Sequence, residues 1–407
     1  MKLYRSRTLG SALLVGGTAV GAGMLALPLT TGAGGVFFSS MLFFIIFVFM
    51  LITLFYLLEV VLMTEQSNAN LISICEEHLG LIGKYVAWLS FLLLLYSVAA
   101  AYLSGGGSLI ANITNTLFRT SIPTQGGVFI FLLIFGSLVV FETRAVDLIN
   151  RICMIGLIFS FILLLFFVTP HVEIDRYQGR SPACLWSAVP IITLSFTSHI
   201  IVPSLKNYLH GNVCALKRAL FRGSLIPLVF YLVWEFLIIG IFPMSGPYSL
   251  ESIGRGAYPI AELTKALRII LQTSWVTGIV GLFSFFALVT SFFGVSLSLY
   301  DFLADGLHIK KTIGGKIALL ILIFSPPMLF ALFYPRGFVV ALGYAGVFVA
   351  ILYIILPALM VWHGRYIKKK RGTFCVIGGK GLLLLTLVGS LVVIFLQVAT
   401  TRGWLSN

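Results

Sequence analysis

What most constrains this chain is a succession of about eleven apolar stretches, each near the roughly 20 residues a helix needs to cross the hydrocarbon core of a bilayer. They run 9–31, 36–62, 84–112, 125–142, 148–170, 184–204, 221–243, 275–300, 317–333, 338–362 and 381–400. Lipid offers no partner to backbone N–H and C=O groups, so such stretches must be helices or the strands of a closed barrel. Their unbroken apolarity lacks the alternation of barrel strands. The expected fold is an all-α polytopic membrane protein. Of 407 residues 59% are hydrophobic and 10% charged, and no polar block is long enough for a soluble domain. The whole chain is read as one membrane domain.

The 27 Lys plus Arg against 13 Asp plus Glu give a formal charge of +14, which invites nucleic acid or a membrane surface as partner. Position decides between them. Lys and Arg stay on the cytoplasmic side of short loops, and a cytoplasmic N-terminus puts most of them there, from Lys2, Arg5 and Arg7 through Lys206, Lys217, Arg218 and Arg222 to the run Lys368–Arg371. An odd number of crossings then leaves the C-terminus outside. The partner is lipid, in the inner (cytoplasmic) membrane, and no nucleic acid is expected. Lys2, Arg5 and Arg7 ahead of an apolar stretch imitate a signal peptide, but the apolar character continues past Pro28, so an uncleaved first helix is expected.

Chemistry is sparse. No G-x-x-x-x-G-K-[ST], H-E-x-x-H or G-x-S-x-G occurs, and Gly314-Gly315-Lys316 and Gly378-Gly379-Lys380 lack the earlier glycine of a phosphate-binding loop. Cys75, Cys153, Cys184, Cys214 and Cys375 are scattered, without metal-ligand spacing. No enzyme, cofactor or metal is expected. The longest loops, 244–274 and 63–83, leave no room for a nucleotide-binding domain.

Two segments look interrupted at mid-membrane. The first carries Gly16, Gly17, Gly21 and Gly23, each weakening a helix by roughly 1 kcal/mol relative to alanine; close packing through Gly17 and Gly21 is the alternative. The sixth runs Pro190 to Pro203 and sets Ser195, Thr197, Ser198 and His199 at its centre. Ser and Thr can bond back to their own helix, whereas an ionisable residue at that depth faces a cavity or a partner. Segments one and six lie five apart, and a repeat of five crossings must invert when it recurs. Secondary transporters built as inverted repeats carry broken helices at corresponding places around a central site. Residues 1–170 and 184–362 are read as the two repeats, with 381–400 as an extra helix. Freed amides and carbonyls at two such breaks suit a zwitterionic amino acid.

At these residues the chain resembles the hydroxy and aromatic amino acid permease family, nearly end to end. The resemblance rests on Arg7-Thr8-Leu9-Gly10-Ser11, Gly21-Ala22-Gly23-Met24-Leu25, Ala99-Ala100-Ala101-Tyr102-Leu103-Ser104-Gly105, Asp147-Leu148-Ile149-Asn150-Arg151, Tyr300-Asp301-Phe302-Leu303-Ala304-Asp305, and Tyr334-Pro335-Arg336-Gly337-Phe338 continuing to Gly343-Tyr344-Ala345-Gly346. It implies a leucine-transporter-like fold with a five-plus-five inverted repeat, and inward symport of an aromatic amino acid driven by protons: tyrosine first, then tryptophan or phenylalanine. Thr18, Gly21, Ala22 and Gly23 match the first-helix motif of that family, and Ser195, Phe196 and His199 match its sixth-helix motif. Thr197 and Ile200 stand where the family has glycine, and Glu235 where close relatives carry an uncharged polar residue.

An aromatic substrate needs an apolar slot with few polar handles, for which Phe196, Tyr102 and Tyr96 are the candidate walls. A proton-coupled cycle needs a group that changes protonation. His199, whose ordinary pKa of about 6.5 lies near working pH, and Glu235, central in the seventh segment, are the candidates; Glu59 and Glu142 lie near segment ends. A sodium-coupled cycle would instead use the hydroxyls of Ser296 and Ser298 between the first and eighth helices. A passive channel would want a continuous polar lining, and a membrane enzyme a paired nucleophile and base; neither is evident.

Overall fold

A computed structural model describes residues 2–64, 69–119, 121–141, 143–178, 182–272, 274–310, 312–334, 337–370 and 372–405. Glu142, Lys311, Pro335, Arg336 and Arg371 lie outside the described residues. In chain order the α-helices are α1 (Lys2–Ala19), α2 (Leu27–Thr31), α3 (Gly35–Met63), α4 (Leu71–Phe118), α5 (Thr124–Phe131), α6 (Ser137–Phe141), α7 (Thr143–Val168), α8 (Val189–Ser195), α9 (Val202–Tyr208), α10 (Val213–Ile241), α11 (Leu250–Arg255), α12 (Pro259–Leu271), α13 (Ser274–Gly306), α14 (Ile313–Phe333), α15 (Gly337–Val349), α16 (Leu356–Trp362) and α17 (Gly379–Thr401). Short 3₁₀ and π turns join several of them, so that α5 and α6 form one span and α15 and α16 another. The described residues contain no strand.

The protein is an all-α polytopic membrane protein. Nine helices among the described residues are long and apolar enough to cross a bilayer, and the shorter Thr124–Val139 joins them. Each of the eleven apolar stretches falls on a helix or on two half-helices in sequence. Large apolar side chains such as Phe37, Ile82, Leu133, Phe166 and Leu385 point outward, which in lipid is the solvated direction.

The two stretches read as the longest loops are largely helical. α4 begins at Leu71 because Asn70 caps it: Asn70 Oδ1 accepts from the Ser73 amide at 2.9 Å, and the Asn70 amide donates to Ser73 Oγ at 3.0 Å. Glu76, Glu77 and His78 keep this first part from reading as a span, and at Gly80 (φ 71°) the chain bends into the apolar part of the helix. Between 244 and 274 sit α11, capped by Ser249, and α12, which opens on Pro259.

Two contacts fix the interior. α1 lies against α10 with glycine on both sides: a Cβ on Gly16 would meet Ile226 Cδ1 at 2.7 Å, and one on Gly223 would meet the Ala12 carbonyl at 2.7 Å. Gly17, by contrast, has nothing within 4 Å of such a Cβ, so the close approach runs through Gly16 rather than through a Gly17/Gly21 pair. α15 lies against α8, where a Cβ on Gly346 would stand 2.2 Å from the Pro190 carbonyl oxygen.

Candidate functional site

α1 stops in the glycine-rich stretch. Its last regular bond is Val20 N–H to Gly16 O at 3.0 Å, after which Gly21 is fully extended (φ −156°, ψ −169°). A 3₁₀ turn, Ala22–Ala26, restarts the helix with Met24 N–H on Gly21 O. α8 stops in the same way. Thr197 N–H reaches only to Leu194 O at 3.0 Å, Thr197 and Ser198 lie in no helix, and a 3₁₀ turn, His199–Ile201, leads into α9. The cause is local. Ser195 Oγ donates to Ile191 O and Thr197 Oγ1 to Thr193 O, offering the backbone competitors to its own ladder, and Pro203 has no N–H to return to His199 O.

The two breaks meet. A Cβ on Gly23 would stand 3.4 Å from Ser195 Oγ. The Tyr231 hydroxyl, reaching from α10, lies 2.7 Å from Ala19 O and 2.8 Å from Ser195 O, the last carbonyls of α1 and α8. Gly21 faces α13 and α4: a Cβ there would lie 3.0 Å from Ser291 Oγ and 3.9 Å from the Tyr102 hydroxyl. Phe196 closes one side, edge to face with Tyr231 at 5.3 Å, Phe47 at 6.0 Å and Phe43 at 6.5 Å between ring centres.

Most of the residues expected at a site come together here: Gly21, Gly23, Tyr102, Ser195 and Phe196, with Ala22 placed by its backbone and Thr197, Ser198 and His199 in the sixth-helix break. Thr18 does not. It is exposed on α1 and its hydroxyl donates to Leu14 O at 2.7 Å. Tyr96 also turns away, its hydroxyl on Leu322 O at 2.7 Å toward α14.

His199 is fully buried, stacked on Tyr353 at 5.1 Å and 27°. Its Nε2 lies 3.0 Å from Thr53 Oγ1, whose one proton goes to Met50 O at 2.9 Å. Nε2–H is therefore the donor to Thr53, which leaves Nδ1 a bare acceptor without a partner. Glu235 is fully buried one helical turn beyond Tyr231, on the same face of α10. Thr31, the last residue of α2, hydrogen-bonds Glu235 Oε1, while Oε2 has no partner. Thr31 is itself held from both sides, by its bond to Leu27 O at 2.6 Å and by Ser39 Oγ on its carbonyl at 3.1 Å. One face of α10 thus touches both halves of the interrupted first helix. On α13, Ser296 Oγ is buried without a partner, whereas Ser298 Oγ donates to Gly294 O at 2.8 Å.

Cavities lie on either side of this crossing. One of about 450 Å³ begins just past His199, lined by Ile200, Pro203, Ser204 and Asn207 together with Ala69–Ile72, Phe91 and Phe302. Another of about 320 Å³ touches α2 through Leu29 and Thr30, α8 through Ile191 and the 3₁₀ turn before it through Ser187, and extends to Glu251, Arg255, Gln397 and Thr401. Between them stand the breaks. Reading the sequence missed Tyr231, as it missed Thr31, Thr53 and Ser291. The only signal of Tyr231 there is its place four residues before Glu235.

A family model described as the tryptophan/tyrosine permease family matches residues 5–397. Two proteins of Haemophilus influenzae are similar over nearly the whole length: Tyrosine-specific transport system 2, 33% identical over 99% of each chain, and Tyrosine-specific transport system 1, 35% identical over 98% of each chain. The Tryptophan-specific transport protein of Pseudomonas aeruginosa is 30% identical over 98% of this chain and 96% of its own.

Proposed function

The chain belongs to the tryptophan/tyrosine permease family, whose members are transport proteins and not enzymes, and from that premise we propose that it imports an aromatic amino acid, tyrosine first, by proton symport across the cytoplasmic membrane. The observation that carries this reading is the meeting of two helix breaks between two cavities. Backbone groups released there can bind a zwitterion without bringing a full charge into lipid. Residues 1–170 and 184–362 act as the inverted repeats, and 381–400 flanks them. With the N-terminus cytoplasmic and the C-terminus outside, the 450 Å³ cavity opens inward and the 320 Å³ cavity outward. Access then alternates by rocking one set of helices about the breaks.

Substrate contact falls to Gly21, Ala22, Gly23, Ser195, Thr197, Ser198 and His199 for the amino acid backbone, and to Phe196 and Tyr102 for the ring. Thr18 is left out, because its hydroxyl is spent on its own helix. His199 and Glu235 are the proton groups, each with a polar atom still unpartnered. A sodium-coupled cycle is the second reading, favoured by the buried, unpartnered hydroxyl of Ser296. Uptake of labelled tyrosine, tryptophan and phenylalanine into vesicles, with an uncoupler and with sodium replaced by choline, separates these. Tyrosine accumulation abolished by the uncoupler and indifferent to choline is the expected result; accumulation that requires sodium overturns proton symport.

A further inference from the structure

The carbonyl ends of α1 and α8 converge on one phenolic hydroxyl. Ala19 O and Ser195 O each close a half-helix and have lost the amide that a continuing helix would supply. Both ends carry partial negative charge, in surroundings where such groups repel strongly and an unsatisfied carbonyl is costly. Two converging carbonyl ends of this kind call for a positive group between them. Tyr231 supplies the positive end of an O–H dipole instead, at 2.7 and 2.8 Å, so a single proton is shared by two acceptors. Its ring is held firmly. Tyr231 is fully buried and stands edge to face with Phe196, the residue directly after Ser195.

We propose that Tyr231 is a positioning residue that ties the two interrupted helices together, its hydroxyl holding the last carbonyls of α1 and α8 at the spacing the substrate site requires. α10 is the element suited to this. Tyr231 holds the end of α1 while Glu235, one turn on, holds Thr31 at the end of α2. α10 therefore spans the first break and sets how far apart its two halves lie. Without the phenolic proton the two carbonyl ends separate or admit water, and the substrate meets a site of the wrong width.

The inference rests on the uptake reading, and uptake of tyrosine by the wild-type protein in the same vesicles tests that reading separately. Tyr231→Phe keeps the ring and its packing and removes the proton. The expected result is a KM for tyrosine raised about tenfold, the equivalent of about 1.4 kcal/mol, with Vmax within about threefold of wild type. Replacing Tyr231 by 4-aminophenylalanine, which restores an N–H at the same place, returns KM to within about twofold, whereas 4-methylphenylalanine does not. A Tyr231→Phe protein with wild-type KM, or a 4-aminophenylalanine protein as poor as the methyl one, overturns the proposal. Thermal unfolding of the purified proteins makes the same comparison without substrate. The amino variant is expected to unfold near wild type and the methyl variant below it; equal unfolding of the two would again overturn the proposal.

Discussion

Glu59 on α3 and Glu235 on α10 are both fully buried carboxyls in apolar helices, and their surroundings could hardly differ more. Glu59 accepts from Arg365 Nε at 2.5 Å, from Arg365 Nη2 at 2.5 Å and from the Val376 amide at 2.8 Å, and Arg365 Nη2 also donates to Val376 O at 2.9 Å. Nearby, Lys206 Nζ donates to the carbonyls of Val61 and Thr64, both at 2.9 Å, at the end of the same helix. Glu235 has Thr31 on one oxygen and nothing on the other. His199 Nδ1, Trp234 Nε1 and Ser296 Oγ are likewise buried without a partner. The difference separates two uses of buried polarity. At the α3 end both carboxylate oxygens are matched, and the arrangement holds one geometry, binding the 372–378 segment to the bundle. Around the breaks the polar groups are under-matched, which leaves them able to take a proton or a ligand.

The strongest way to break this comparison is at Arg365. Arg365→Ala leaves the Glu59 carboxylate buried without its cation, a loss of about 3–5 kcal/mol, read as a lower unfolding temperature or as failure to accumulate in the membrane. Glu59→Met with Arg365→Met, which removes both charges, is expected to recover much of it. If Arg365→Ala unfolds as the wild type does, the α3 end is not the fixed part of the molecule.

Glu235→Gln is expected to do the opposite. It costs about 1 kcal/mol or less in stability, since a single hydrogen bond is altered, but it removes a group able to release a proton. Uptake should lose its rise with falling external pH, while exchange of labelled for unlabelled substrate continues; His199→Gln is expected to behave likewise. Should both variants keep the wild-type pH response and accumulation, neither residue carries the proton, and the Ser296 reading takes their place.

The smallest effect concerns choice among substrates. Thr197 is half-buried and bonded to Thr193 O, beside Phe196. Thr197→Gly is expected to shift the ratio of tyrosine to tryptophan uptake by about tenfold, the low end of what one small group in a pocket is worth. An unchanged ratio would remove Thr197 from the pocket wall.

The crossings were legible because hydropathy is a property of consecutive residues, although several helices start well before their apolar stretches, α1 at Lys2, α4 at Leu71 and α10 at Val213. The breaks were legible for a similar reason: glycines at 16, 17, 21 and 23, and Ser195 to His199 beside Pro203, weaken a helix wherever it sits. Local signals also misled. Glu76, Glu77 and His78 made the start of α4 look like a loop, although the Asn70 cap was there to be read. Thr18 fits the first-helix motif, yet its place on the turn before the break aims it outward.

What the sequence by itself determined is therefore the list of spans, the two weak points and the family motifs, all carried by neighbours along the chain. Only the tertiary structure decided that Tyr231 reaches Ala19 and Ser195, 212 and 36 positions away, and that Arg365 finds Glu59 across 306. It also decided which of two equally buried glutamates is matched. Hydropathy treats the two alike, because it records the cost of burying a carboxyl and not the partners that offset it.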